Sequence, residues 1–469
     1  MPEAYRAADQ MQIPELPPPV PAATEQDEVT EGEPLRVGAD KCFRPYDPNQ
    51  ILLLPPNLSE WLPAGHLARL INELVDNVLE LSPIYASYRE RRGAPPYDPR
   101  VLLKLLLYGY ASGVFSSRRL ERAAQELVPC RYLTADQQPD HKTISEFRRR
   151  HLKVLEGLFC QVLQVCQKAG LVKLGHVALD GTKIKANASR HKAMSYGRMK
   201  EREAEYEQIV QGWLEQAEAV DQAEDEELGK DRRGDELPEE LQRAESRLRK
   251  LREAKAELEK EAQEQGREAP ADKEQRNFTD PESRIMLSGE KAFVQAYNCQ
   301  LAVDDTPHHI VLAAEVGNQA SDNPQLLPML ITTALNAGEV PDKVSADAGY
   351  SRETNLILLD KLGIDAYIAV DKDQHNRQAA SPRGRIPKSA GPRERMRRKT
   401  RTKKGRAVYK RRKHVAEPPF GFIKQGLGFR QFLLRGLEKV SGEWKLVTLA
   451  YNLRRLHDSG RWRSASATA

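Results

Sequence analysis

Cysteine, aromatic side chains and long apolar stretches are all scarce in this sequence, and each scarcity removes a class of protein. The five cysteines among 469 residues, at 42, 130, 160, 166 and 299, are scattered, odd in number and without a CxxC pair. Neither a disulfide framework nor a zinc ribbon is therefore expected, and a reduced, cytoplasmic protein is the default. No uncharged apolar run approaches the ~20 residues that a membrane-spanning helix needs. Glu3, Arg6 and Asp9 precede any apolar run, so no signal peptide is expected either. Aromatic residues make up 6% and apolar residues 39%, against 30% charged, so parts of the chain must be solvated helix or disorder. At roughly 150 residues per domain the length allows about three domains, each able to bury a core.

What the sequence has instead is charge, sharply divided. Residues 372–413 hold eighteen Lys/Arg against Asp373 and Glu394, a net of +16, whereas residues 195–275 carry a net of −10. The +16 block is rich in Pro and Gly and has almost no large apolar residues, so it cannot form a core of its own. Such a block reads as a polyanion-binding arm or as a solvated linker. It is expected to stay unordered without DNA.

Residues 1–40, with seven Pro and nine Asp/Glu, read as a disordered acidic leader. From Leu58 to Gly170 the apolar spacing is helical. Leu67, Leu70, Ile71, Leu74, Val75, Val78 and Leu79 predict one helix; Asp98 and Pro99 open a second over Leu102, Leu103, Leu106 and Leu107. A third begins near Ser116 and a fourth near Thr143. The last two have cationic starts: Arg118, Arg119 and Arg122, then His141, Lys142, Arg148, Arg149 and Arg150. These suit a DNA groove, or belong to an ordinary bundle with solvated arginines.

After Gly175 the pattern turns to strands. GHVALDGTKIKANAS predicts a strand up to Asp180, a hairpin turn at DGT and resumed alternation in KIKA. Residues 293–305 and 308–316 predict two more strands around a turn at Thr306–Pro307. Asp322 is expected to cap a helix from Leu326, followed by a strand at 343–350, a helix at TNLILLDKLG and a strand at 364–370. The order β-β-β-α-β-α-β defines a mixed α/β layer. Between the first two strands lies the acidic insertion, 195–275. There Leu241, Ala244, Leu248, Leu251 and Leu258 take heptad positions broken by Lys255, which predicts a short coiled-coil hairpin or a long solvated helix.

Three acidic positions stand where an α/β domain presents them: Asp180 in HVALDGTK, Asp347 in SADAGY, and Glu417 in HVAEPPFGFIK after the basic arm. Converging carboxylates would hold two hard divalent cations for phosphoryl transfer. Alternatively, DG is a plain turn, Asp347 caps the following helix, and Glu417 starts one. Asp304, Asp305 and Asp322 are rival carboxylates.

With these motifs the sequence resembles a DDE transposase of a bacterial insertion sequence, of the eleven-eighty-two type within the broader four/five superfamily. FRPYDPNQILLLPPNLSEWLP and PPYDPRVLLKLLLYGY resemble its N-terminal domain. ALDGTKIKANAS matches the first catalytic motif, and Asp347, Gly349 and Tyr350 the second. The third is Tyr, two residues, Arg, three residues, Glu, six residues, Lys. Tyr409 and Arg412 keep the first gap and Glu417 and Lys424 the last, but four residues separate Arg412 from Glu417. Either Arg412 is shifted by one or Lys413 takes the basic position.

The resemblance implies a ribonuclease H-like catalytic domain at 171–194, 276–371 and 407–458. An all-α DNA-binding domain at 41–170 would precede it, and the basic arm at 372–413 would overlap it. Two Mg²⁺ ions, for which Mn²⁺ can substitute, would sit at Asp180, Asp347 and Glu417. Lys183, Lys185, Arg148, Arg149, Arg150, Tyr409, Arg412, Lys413 and Lys424 would contact DNA. The implied partners are terminal inverted repeats, target DNA and a second copy of the chain on paired ends, at the bacterial nucleoid and with no membrane. A metal-dependent nuclease without strand transfer, or an inactive domesticated DNA-binding protein, would share the same motifs.

Overall fold

The computed structural model describes residues 57–88, 96–189, 192–228, 239–289, 291–371, 384, 387 and 389–462. The acidic leader at 1–40 lies outside the described residues, as do 372–383, 385, 386 and 388 of the basic block.

The helical first region follows its predicted spacing. Helix α1 (Leu67–Asn77) starts at His66, whose ring accepts the Ala68 N–H, and buries Leu67, Leu70, Ile71, Leu74 and Val75. A single turn, α2 (Ser82–Tyr85), precedes α3 (Pro99–Ala111). Asp98 caps α3 by accepting the Arg100 N–H, and Pro99 fits its first turn, where no N–H donor is needed. Then come α4 (Ser117–Glu126), α5 (Val128–Leu133) and α6 (His141–Lys168), the last capped by Asp140 on the Thr143 N–H.

Strand β1 (Val177–Lys185) runs unbroken through DGT, so the hairpin expected there does not form. Its nine residues pair antiparallel with β5, from Val177↔Asp304 to Lys185↔Ala296, and that ladder overrides the local turn preference of Asp-Gly. The insertion consists of β2 (Ala193–Ser195), α7 (Tyr196–Leu228), α8 (Glu239–Glu264) and β3 (Gln275–Asn277). After β4 (Arg284–Leu287) come β5 (Phe293–Asp304), β6 (Val311–Gly317), α9 (Leu326–Ala337), β7 (Lys343–Ala346), α10 (Glu353–Lys361) and β8 (Asp365–Ile368). The predicted order is thus realised, but the strand expected at 343–350 ends at Ala346, where Asp347 caps a 3₁₀ turn, and β2, β3 and β4 are additions.

The sheet reads β5-β1-β7-β8, with β4 and β6 both on the outer edge of β5. The pairs β1–β5 and β5–β6 are antiparallel, while β1–β7 and β7–β8 are parallel.

The basic block is ordered where it is described, contrary to the expectation for it without DNA: α11 (Pro392–Arg401) and α12 (Lys403–Gly421) are helices. Partners invisible in the local sequence hold α11. Arg397 and Arg401 pair with Asp371, Lys399 pairs with Asp365 at 2.6 Å and lies over the Tyr367 ring, and Met396 is buried. Helix α12 continues past Pro418 and Pro419 into a wider π-type turn at Phe422–Gly426.

The last helix, α13 (Leu437–Asp458), is buried nearly all round through its middle, where it encloses Trp444, Leu446, Val447, Leu449, Ala450 and Leu453. It packs on α3 and α6 on one side and on β6 on the other. Each large side chain so buried contributes about 1.5–3 kcal/mol. The Asn452 amide accepts the Val311 N–H at 2.9 Å and donates to the Val311 carbonyl at 2.8 Å, fixing α13 to the start of β6. One continuous hydrophobic core therefore serves both the helical region and the sheet.

Candidate active site

The parallel register of β1 and β7 positions the first two acids. Their last paired residues are Ala178 and Ser345, and two residues further along each strand come Asp180 and Asp347. Side chains alternate with a period of two, and Asp347 keeps an extended backbone, so both carboxylates stand abreast on one face. Asp347 also uses one oxygen as a cap, accepting the Gly349 N–H at 2.8 Å. Asp180 accepts its neighbour's Gly181 N–H at 2.9 Å.

Burial pushes the Asp180 carboxyl up to about 6; the Asp347 charge adds to the rise and the Arg412 guanidinium opposes it. Arg412, buried on α12, places Nη1 3.1 Å from Asp180 Oδ2. That approach is off the hydrogen-bond direction, and both Nε and Nη1 of Arg412 are buried without a hydrogen-bond partner.

On the same face Lys424 donates to Thr182 Oγ1 and approaches the Lys183 carbonyl at 3.4 Å. Asp322 accepts from Lys183 Nζ (3.2 Å), Asn298 Nδ2 (2.7 Å) and Gln300 Nε2 (2.9 Å). Asp322 precedes a short 3₁₀ turn at Asn323–Gln325 but makes no side-chain cap there, so the capping role expected of it is not its use. Tyr350 donates to Gln300 Oε1, and burial, together with the Asp322, Asp180 and Asp347 charges, holds its hydroxyl well above its ordinary value.

The glycines of the two acidic motifs follow from this crowding. A Cβ on Gly349 would lie 2.9 Å from both Asp322 Oδ2 and Asp347 Oδ1, and one on Gly181 would collide with the Gln300 amide. Sequence reasoning did not single out Asn298 and Gln300. Their signal was polar residues at alternate positions of an otherwise apolar strand.

The structure thus gathers Asp180, Asp347, Arg412, Lys183 and Lys424. Glu417 lies on α12 but is exposed, and its carboxylate makes no hydrogen bond or ion pair among the described residues. Nor is any group of three or more His, Cys, Asp or Glu among the described residues arranged to hold a metal ion. The rival acids have structural partners. Asp304 accepts the Lys173 and Leu174 N–H groups, and Asp305 pairs with His176 at 2.8 Å and Arg411 at 2.7 Å.

Of the expected DNA contacts, Lys185, Arg149, Arg150 and Lys413 are exposed, and Tyr409 lies under the Arg412 guanidinium. Arg148 requires correction. It is buried, donating to Tyr110 Oη and to the Phe115 carbonyl, each at 3.0 Å, and does not face a groove. Its place on the inner stripe of α6, beside Phe147 and His151, decides this.

Residues 56–150 match a family described as Transposase domain (DUF772), and residues 268–453 match one described as Transposase DDE domain. No curated protein and no solved structure matches the chain. The two matches define a transposase. The chain belongs to the DDE transposases of insertion sequences. The second match takes in Asp347, Arg412, Glu417 and Lys424, while Asp180 lies before it, beyond the insertion. Among the described residues no helix is long and apolar enough to cross a membrane.

Proposed function

We propose that the protein binds transposon-end DNA at terminal inverted repeats, cleaves it and joins the freed 3′-hydroxyls to target DNA. It would act as a homodimer across paired ends, at the bacterial nucleoid, within the eleven-eighty-two-type group. The observation that carries this reading is the Asp180–Asp347 pair, abreast on one face beside Lys424 and next to a cationic helix. The antiparallel run β1-β5-β6 joined to parallel β7 and β8 supports a ribonuclease H-like fold.

Two carboxylates completed by substrate phosphates are an ordinary ligand set for Mg²⁺, so Asp180 and Asp347 fit the ion. Glu417 would join them from α12. Two such ions, Mg²⁺ or Mn²⁺, would activate the attacking oxygen and stabilise the leaving one. Lys424, tied two residues beyond Asp180, would hold the phosphate beside the scissile bond, and Lys183 stays locked to Asp322 as support for β1. Lys185, Arg149, Arg150, Tyr409, Arg412 and Lys413 would track the backbone.

The insertion reads as a short coiled coil. Leu248, Leu251, Leu258 and Ala262 are buried at alternating spacings, with Lys255 filling the gap by pairing to Glu203. Its acidic surface suits a protein contact in the paired-end assembly better than a phosphate contact.

Cleavage and joining on terminal-repeat duplexes test the whole reading. Asp180→Asn, Asp347→Asn and Glu417→Gln should each lower both reactions at least ~10³-fold while leaving end binding intact. An active Glu417→Gln would pass the third role to Asp322. Cleavage without joining in the wild type would make the protein a nuclease.

A further inference from the structure

Arg412 is in an unusual position for a residue that only binds DNA. Its guanidinium is buried, two of its nitrogens lack hydrogen-bond partners, and it lies 3.1 Å from a carboxylate that has another beside it. Buried unsatisfied donors are costly. They are tolerated here because two carboxylates abreast repel each other and require a cation between or beside them.

The neighbouring residue shows that the helix is fixed. Arg411 Nη2 meets Asp305 Oδ1 at 2.7 Å, Asp305 Oδ2 meets His176 Nδ1 at 2.8 Å, and His176 Nε2 meets Ser345 Oγ at 2.8 Å. This chain ties α12 to the sheet one residue away from Arg412. Any release of the guanidinium must therefore come from the side chain rather than from the helix. The Tyr409 ring, 5.6 Å from the guanidinium, covers one side of it.

A guanidinium and a divalent ion compete for the same carboxylates. We propose that Arg412 is a built-in counter-cation, closing the Asp180–Asp347 pair to divalent metal in the DNA-free protein until a DNA phosphate draws it away. A phosphate can take two of its N–H groups at once, satisfying the donors that are orphaned here. Metal and DNA then bind cooperatively, and by linkage each raises the affinity for the other. The hydrolytic centre is completed only on DNA that has displaced the arginine. This inference rests on the proposed metal role of Asp180 and Asp347.

The test is Mn²⁺ binding to the DNA-free protein, read from the electron paramagnetic resonance signal of free Mn²⁺. Arg412→Met should bind Mn²⁺ at least ~10-fold more tightly than the wild type, because a full like charge leaves the ligand pair. Lys413→Met, which removes a neighbouring charge from the exposed side of α12, should match the wild type. Adding Asp347→Asn to Arg412→Met should cancel the gain. If the methionine variant does not fold, Arg412→Gln drops the charge while leaving a polar side chain at the position, and is read the same way.

Equal Mn²⁺ affinity with and without the arginine charge, at a site that Asp347→Asn removes, would overturn the proposal and leave the metal reading standing. No Mn²⁺ bound by any variant, with or without a duplex copied from a transposon end, would overturn the metal reading itself.

Discussion

Asp98, Asp304, Asp322 and Asp347 all precede or begin a turn or helix in the sequence, yet their carboxylates serve different partners. Asp98 caps α3 and grips Arg100 through the same carboxylate, and the Arg100 hydrogen bond holds its carboxyl down to about 2. Asp304 serves backbone N–H groups, Asp322 serves three side chains, and Asp347 divides itself between a cap and the Asp180 pair. The capping use is the one that can be tested by acid. A folded-state value below the ordinary ~3.9 means that the stabilisation is complete above about pH 4 and lost as pH falls towards 2. Asp98→Ala should therefore cost about 1 kcal/mol near neutrality. Urea denaturation of both proteins between pH 6 and pH 2 should show that difference shrinking below pH 4 and vanishing at the acid end.

At the scale of elements, the sequence reading succeeded wherever apolar spacing alone decides the structure, as in α1, α3, α6, β5 and β6. It failed where a distant partner decides. DGT has turn chemistry, but Asp180, Gly181 and Thr182 face Leu301, Gln300 and Cys299 across an unbroken ladder, and no local rule contains that strand. The order in α11 comes from Asp365 and Asp371, and the burial of Arg148 from Tyr110. Asp180 and Asp347 were legible because each carries a glycine motif, whereas the Asp322 cluster is assembled from three separate segments.

The insertion is similarly modular. Antiparallel pairing brings Ser195 opposite Gln275, so its two ends already touch. Arg276 and Arg284 pair with Glu257 and Glu261 only at its base. Replacing residues 196–274 by a short turn should leave the melting temperature of the remainder within a few degrees. Assembly of paired ends, followed by sedimentation on terminal-repeat DNA, should be lost; if assembly persisted, the insertion would have no role in it.

Across the whole molecule, the helical region and the sheet are coupled through α13. Tyr110 on α3 receives the Arg148 donor from α6 and lies 3.4 Å from Glu443 on α13, whose other oxygen accepts the Leu433 and Leu434 N–H groups. Arg148→Met leaves Glu443 buried without its nearby cation and should destabilise by about 3–5 kcal/mol. Adding Glu443→Gln should recover a good part of that loss in a double-mutant cycle.

This shared core holds the cationic helices against the sheet that carries Asp180, so under the proposed function DNA engaged by one would be presented to the other. Of the cations on α12, Arg411 is committed to Asp305 and Arg412 to Asp180, while Lys403, Lys404, Lys410 and Lys413 are exposed. Each lysine that meets a phosphate releases about one counterion, so log affinity should fall with log salt by about 0.9 per contact. Alanine at all four positions should flatten that slope by about 3–4 units between 50 and 200 mM salt, weakening terminal-repeat and random duplexes alike. The preference for the terminal repeat should survive, because phosphate contacts position the protein without reading sequence. A loss of that preference with an unchanged slope would instead assign base readout to α12.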